Sequence, residues 1–158
     1  VSAAPEGSAQ ERGSDHGLLR MLVHASYWLD DGLQAYMAEH AGVRLPRAQS
    51  MAMVYLTEGV DRPSDLATKL AVSKQAAQQL LQALQRKGLI EVVPDPDNGR
   101  QKRVLLTGYG RELRTLARTA LATLEAELAT RIGSAPLAAL HDALAADWGA
   151  TPSHLKAP

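Results

Sequence analysis

The feature that most constrains this chain lies between Pro63 and Thr107. A helical period stops, restarts within a few residues, and then gives way to two β-prone runs around a polar turn. Pro63 suits the first position of a short helix, where its missing N–H costs nothing, and Leu66, Ala67 and Leu70 then share one side. Ala71-Val72 forms the following turn, and the Ser73 hydroxyl can cap the next helix by accepting from an unpaired N–H of its first turn. That helix runs to about Lys87, where Gly88 supplies the stop. Leu89–Val93 and Arg103–Thr107 read as strands separated by Pro94 to Lys102, with Asn98-Gly99 as the turn signal because both residues tolerate positive φ. The expectation is a helix-turn-helix followed by a hairpin with a long, polar, partly basic tip.

On a wheel of the helix that follows Ser73, Ala77, Leu80, Leu81 and Leu84 fall on one side. Gln75, Gln78, Gln79, Gln82 and Arg86 lie opposite, with Lys74 in the first turn. Glutamine can bond bidentately to adenine N6 and N7 in a major groove, each good pair contributing about 1–3 kcal/mol of discrimination. Glutamine is also an ordinary helix former on a neutral surface. The neighbouring hairpin tips the balance: its Arg100, Lys102 and Arg103 could follow a phosphate backbone or enter a minor groove. Ser64 and Ser73, at the two helix starts, join these as candidate DNA contacts.

Net charge is zero, which alone argues against a nucleic-acid partner, yet its distribution does not. Residues 1–61 carry 4 basic and 8 acidic side chains, 62–118 carry 11 and 5, and 119–158 carry 2 and 4. A basic middle flanked by acidic ends suits a DNA-reading module on a scaffold that stays off the DNA.

The rest of the chain is helical in period. Leu18, Leu22, Ala25, Leu29, Leu33, Tyr36 and His40 mark a first helix ending near Gly42, and Pro46 opens a second that stops at Gly59. Leu113, Leu116, Ala117, Ala120, Leu121, Leu124 and Leu128 mark a fifth helix, and Pro136 starts a sixth through Leu137, Leu140, Leu144 and Trp148. Residues 1–17 read as a disordered arm, and 150–158 as a loose tail. No apolar run approaches the ~20 residues that span a bilayer. With no cysteine, disulfides, thiolate metal sites and thiol redox sensing are excluded. No export signal is visible in residues 1–17, so a cytoplasmic location and no membrane partner are expected.

The run Asp65-Leu66-Ala67-Thr68-Lys69-Leu70-Ala71-Val72-Ser73-Lys74-Gln75-Ala76, then Leu84-Gln85-Arg86-Lys87-Gly88-Leu89-Ile90, then Pro94-Asp95-Pro96-Asp97 and Val104-Leu105-Leu106-Thr107, resembles the MarR family of bacterial regulators. The resemblance implies a mainly α fold with a small β-hairpin wing, a winged helix-turn-helix on a helical dimerisation scaffold. It places the single domain at 18–149, with the DNA-binding lobe at 46–107 and dimerisation helices at 18–42 and 108–149. It further implies a homodimer that binds a pseudo-palindromic double-stranded operator, represses transcription, and is released by a small-molecule effector. The dimer seam would take Leu18, Leu22, Leu121, Leu124, Leu128, Leu137, Leu140 and Leu144. In the family's wing an Asp and an Arg two residues apart precede the Val-x-Leu-Thr strand. Here the Arg is Arg100, but Asn98 stands in the Asp position, leaving Asp97 as the alternative bracing carboxylate. A winged-helix module that docks protein through the glutamine stripe is the rival reading.

On the first helix His24, Tyr27, Trp28 and Asp31 lie off the leucine stripe and are candidates to line the pocket that the resemblance implies, for an aromatic effector, or else to form a dimer contact or a partly exposed face. Asp30-Asp31 reads as a solvated helix face. The five histidines have no close ligand spacing, so neither a metal nor a cofactor is expected. With no Gly-rich phosphate loop or nucleophile elbow, no enzymatic activity is expected either.

Overall fold

The computed structural model describes residues 17–152, so the expected arm, apart from Gly17, and the tail beyond Pro152 lie outside the described residues. The chain divides into two compact units, one ending at Ala122 and the other beginning at Thr123. In chain order the elements are α1 (Leu18–Ala41), α2 (Arg47–Thr57), α3 (Pro63–Lys69), α4 (Lys74–Arg86), β1 (Ile90–Pro94), β2 (Lys102–Leu106), α5 (Gly108–Ile132) and α6 (Ser134–Ala145). No helix among the described residues is long and apolar enough to cross a membrane.

The breaks in the sequence pattern become the breaks in the fold. Gly42 takes φ 64 and closes α1 by returning its N–H to the Ala38 carbonyl. Pro46 stands one position before α2 and so acts as its N-cap, not its first residue. Ser73 Oγ accepts the Ala76 N–H (3.1 Å) at the start of α4. The turn between α3 and α4 places Ala71 at φ 53, the left-handed region that an L side chain enters at some cost.

β1 and β2 pair antiparallel, from Ile90 opposite Leu106 to Pro94 opposite Lys102. The strands sit one residue further from the flanking helices than expected, because Leu89 and Thr107 are used elsewhere. Leu89 N–H still bonds back to the Leu84 carbonyl (3.1 Å). Thr107 Oγ1 donates to the Gly88 carbonyl (2.6 Å) and accepts the Gly110 N–H (2.9 Å), which caps α5. A Cβ at Gly110 would collide with the Leu89 carbonyl, so only glycine permits this junction.

The core of the first unit joins Ala52, Leu56, Leu66, Leu81, Leu84, Leu89, Ile90, Val104 and Leu113, with Met37 from α1. Helix, hairpin and α5 are thereby seated on one apolar centre, and the outward face of α4 is left uncovered. Burial of leucine-sized side chains at about 1.5–3 kcal/mol each is the main term holding this arrangement.

In the second unit, α6 begins two residues earlier than the proline suggested. Gly133 at φ 94 turns the chain, and Pro136 falls inside the first turn, where its ring is tolerated. The helix ends at Ala145, so Trp148 lies beyond it, its indole N–H donating to the Ala143 carbonyl (2.8 Å). Within this unit Arg131 pairs with Glu127 (2.8 Å), and His141 Nε2 lies 3.6 Å from Glu125.

Candidate nucleic-acid interface and adjoining cavity

α4 divides as its sequence suggests: Ala77, Leu81 and Leu84 are buried, Leu80 is half-buried, and Gln75, Gln78, Gln79, Gln82 and Arg86 are exposed. Five of the expected DNA contacts, Ser64, Lys74, Gln78, Gln82 and Lys102, line one groove of about 430 Å³. Gln85 lines the groove too. Sequence reasoning left it out, although its place three residues after Gln82 puts it on the same stripe. Gln75 and Gln79 are exposed on the outer side of the helix, and Arg100 is exposed at the wing tip. Ser73 is committed to its helix cap.

Arg103 stands apart from the other basic side chains. Its guanidinium is paired with Asp61 (2.7 Å), and the Asp61 carbonyl also accepts the Val104 N–H (2.7 Å). The next residue, Arg62, reaches Asp95 at the far end of β1 (3.3 Å). Adjacent side chains of opposite sign, Asp61 and Arg62, therefore hold both strands of the wing against the start of α3.

Asp95 is the knuckle of the wing tip. Its side chain is 2% exposed, and Oδ1 accepts the Asp97 N–H (3.0 Å) while Oδ2 takes Arg62. Its backbone N–H donates to Gln101 O (2.9 Å), and its carbonyl accepts from Asn98 (3.2 Å). A buried carboxylate with a donor on each oxygen is a stable arrangement, whereas the same carboxylate without them would be costly. The wing is thus tied down by Asp95, and neither Asp97 nor Asn98 takes that part. Asn98 instead accepts the Arg100 N–H (3.3 Å). Asn98 and Gly99 do not adopt the positive φ expected of them, because the tip closes through Asp95 and through a turn centred on Gly99-Arg100, in which the Gln101 N–H donates to the Asn98 carbonyl (2.8 Å).

On α1, Asp30 is 6% exposed, which corrects the expectation of a solvated Asp30-Asp31 face. Three donors from other turns explain its burial: Ser50 Oγ (2.8 Å) and Gln34 Nε2 (3.3 Å) reach Oδ1, and Arg47 Nε (3.0 Å) reaches Oδ2. Gln34 Oε1 in turn accepts the Leu45 N–H (2.7 Å) from the link before α2. Arg47 also pairs with the exposed Asp31 (2.9 Å) and lies 3.7 Å over the Tyr27 ring. Its hydrogen bond to Asp30, and then the charges of Asp30 and Asp31 and a bond to Tyr27, hold the guanidinium above its ordinary pKa, against the lowering effect of burial. The stability linked to this raised group is fully present below the ordinary arginine range and is lost only at more alkaline pH.

Beside this cluster, α1, α2 and α5 line a half-open cavity of about 130 Å³. Its wall is mostly apolar, including Leu33, Met37, Val43, Leu45, Met53 and Leu113, with Gln34, Ser50 and Thr57 as polar points and Arg114 and Arg118 from α5. Of the side chains expected to receive an effector, none lines it. Tyr27 and Asp31 are engaged with Arg47, while His24 and Trp28 lie on the exposed part of α1. Among the described residues no group of three or more His, Asp or Glu side chains could hold a metal.

Residues 45–101 match a family model described as MarR family. Comparison with curated proteins gives no significant match. Among solved structures, the chain is similar to the transcriptional repressor CouR bound to a 23-mer DNA duplex, at 25% identity over 91% of this chain and 97% of that one, with a TM-score of 0.66. It is similar also to wild-type apo MarR from E. coli, at 23% identity over 81% and 94% of the two chains and a TM-score of 0.66. Transcending no more than fold, a third likeness is to RV1404 from Mycobacterium tuberculosis, at 23% identity, 90% and 94% coverage and a TM-score of 0.64. Residues 45–101 therefore resemble the MarR family, and the chain that carries them shares the fold of the MarR and CouR structures.

Proposed function

We propose that the protein is a sequence-specific double-stranded DNA-binding transcriptional regulator, a repressor that acts in the cytoplasm as a homodimer and is released by a small molecule. The observation that carries this reading is the uncovered glutamine face of α4, set in one groove with Lys74 and the wing's Lys102. A helix of this kind reads base edges through Gln75, Gln78, Gln79 and Gln82, while Ser64, Lys74, Arg100 and Lys102 fix its register on phosphates. Arg103 acts at one remove, by holding the wing through Asp61. The likeness to a repressor bound to duplex DNA supports the same reading.

Two features favour self-association. On α1, Leu18, Leu19 and Met21 are exposed, and Leu22 is half-buried. On the second unit Leu140 and Leu144 are exposed, while Leu124, Leu128 and Leu137 are half-buried. Apolar faces of this extent suit an interface more than open solvent. Two lobes related by a twofold axis would meet half-sites about one helical turn apart.

The effector belongs in the α1–α2–α5 cavity rather than against His24, Tyr27, Trp28 and Asp31. Its size, about 130 Å³, is close to an engineered apolar cavity of about 150 Å³ that admits benzene. Occupancy there would shift the population of lobe positions away from the one that fits DNA.

The test is selection from a random duplex library at about 0.15 M salt, with sequencing of the retained pool. An enriched inverted repeat is expected. A pool without enrichment from a dimeric preparation overturns the reading and leaves the protein-docking module in its place.

A further inference from the structure

We propose that Asn98 is a self-modification site: the backbone nitrogen of Gly99 displaces the Asn98 side-chain amide, and the wing tip ages from a neutral group to a carboxylate. Asn98 is the only asparagine in the chain, and it stands directly before a glycine. Both residues are exposed at the wing tip, so the pair that marks a turn in the sequence has a second, chemical meaning. An asparagine side chain can reach the next residue's nitrogen because closure makes a five-membered ring. Glutamine would need a six-membered one, so the glutamines of α4 do not compete.

The tip favours closure on three counts. Asn98 Oδ1 accepts the Arg100 N–H (3.3 Å), which polarises the carbonyl under attack and puts a donor beside the oxyanion that forms on it. The bond is long in the resting tip and tightens as charge builds on that oxygen. The Asn98 backbone carbonyl accepts the Gln101 N–H (2.8 Å), and this bond stabilises the anion left when the Gly99 nitrogen gives up its proton. Among the described residues no acceptor holds the Gly99 N–H, and a Cβ at Gly99 would meet nothing within 4 Å, so the nitrogen is open to base from solvent. Asp31-Gly32, the comparable acidic pair, lies inside α1, where the helix fixes the backbone.

Water supplies the base and the final oxygen. Hydroxide takes the Gly99 N–H proton, a bond forms from Gly99 N to Asn98 Cγ, and the Cγ–Nδ2 bond breaks as Nδ2 takes a proton from water and leaves as ammonia. Water then opens the cyclic imide. Cleavage between Gly99 N and Cγ leaves an ordinary aspartate, whereas cleavage between Gly99 N and the Asn98 backbone carbon leaves an isoaspartate with the main chain routed through Cβ. The isoaspartate also takes the carbonyl that Gln101 holds out of the main chain. Either product adds one negative charge beside the exposed Arg100. The consequence for DNA rests on the proposed function: a charge that repels phosphates at the wing lowers the hold of older protein on the duplex.

The chemistry is measured without DNA, on the full chain kept in neutral buffer. Intact mass, released ammonia and peptide mapping should show amide loss confined to Asn98, as aspartate and isoaspartate, at least as fast as in a peptide of residues 94–102. Asn98→Gln should not convert, and Gly99→Ala should convert about tenfold more slowly while folding as the parent does. Conversion about tenfold slower in the protein than in the peptide, or undiminished in Gly99→Ala, overturns the proposal. In the DNA arm, fresh protein, aged protein and Asn98→Asp are titrated onto a duplex enriched from the random library. Asn98→Asp should weaken binding about two- to fivefold at low salt and less at high salt, and aged protein at least as much. Equal affinity of fresh and verified aged protein overturns the effect on DNA. A selection without enrichment from fresh protein overturns the function on which that effect rests, and the mass data then judge the conversion alone.

Discussion

α4 and α1 are both amphipathic helices, yet they bury opposite kinds of surface. α4 turns Ala77, Leu81 and Leu84 into the core and leaves its polar groups outside for a partner. α1 buries Asp30 and Gln34 alongside Met37, and leaves Leu18, Leu19 and Met21 outside. A helix is oriented by whichever face finds partners, and a polar face qualifies when its donors and acceptors are matched. α4 meets the apolar cluster of Leu56, Leu66, Leu89 and Ile90, so its apolar stripe goes inward. α1 meets Arg47 and Ser50, which make a carboxylate the better inward group.

The contrast is sharpest in stability. Leu84→Ala, at a side chain 0% exposed, should cost about 3 kcal/mol by loss of apolar burial and opening of a cavity, read from the urea midpoint. Asp30→Ala should come next at about 2 kcal/mol, because the buried Ser50 hydroxyl loses its acceptor and Gln34 one of its two, while Arg47, being partly exposed, recovers water. A loss at Asp30 below about 0.5 kcal/mol would break the comparison, since α1 would then be held by apolar contacts alone. Asp31→Ala removes the exposed member of the pair and should change stability by less than about 0.5 kcal/mol, by thermal or urea unfolding. Gln78→Ala should have an effect as small on unfolding, while altering which base is preferred in each half-site. Arg100→Ala should weaken binding to all duplexes alike and flatten the dependence on salt.

How much of this was legible in the sequence follows from the same difference. The stripe of α4, the cap at Ser73 and the stop at Gly88 involve residues within a turn or two of one another, so periodicity and local chemistry exposed them. The partners of Asp30 lie 17 and 20 residues away, at Arg47 and Ser50, and no local pattern marks them. The wing repeats the lesson. Its strands were readable from β-branched residues, but the brace runs from Asp61 and Arg62 to Arg103 and Asp95, 42 and 33 residues on. A motif centred on Asn98 and Arg100 pointed to the right segment and to the wrong carboxylate. Gly110 was likewise silent, because its need for no side chain comes from the Leu89 carbonyl across the junction.

The glutamine face of α4 as the surface that reads sequence is the central claim, and one measurement addresses it most directly. The random-duplex selection is run in parallel with the parent protein and with Gln78→Ala under identical salt. The account predicts an inverted repeat from the parent and, from the variant, the same repeat with preference lost at one symmetric position in each half-site, a discrimination of about 1–3 kcal/mol. An identical repeat from both proteins at the same enrichment would contradict it.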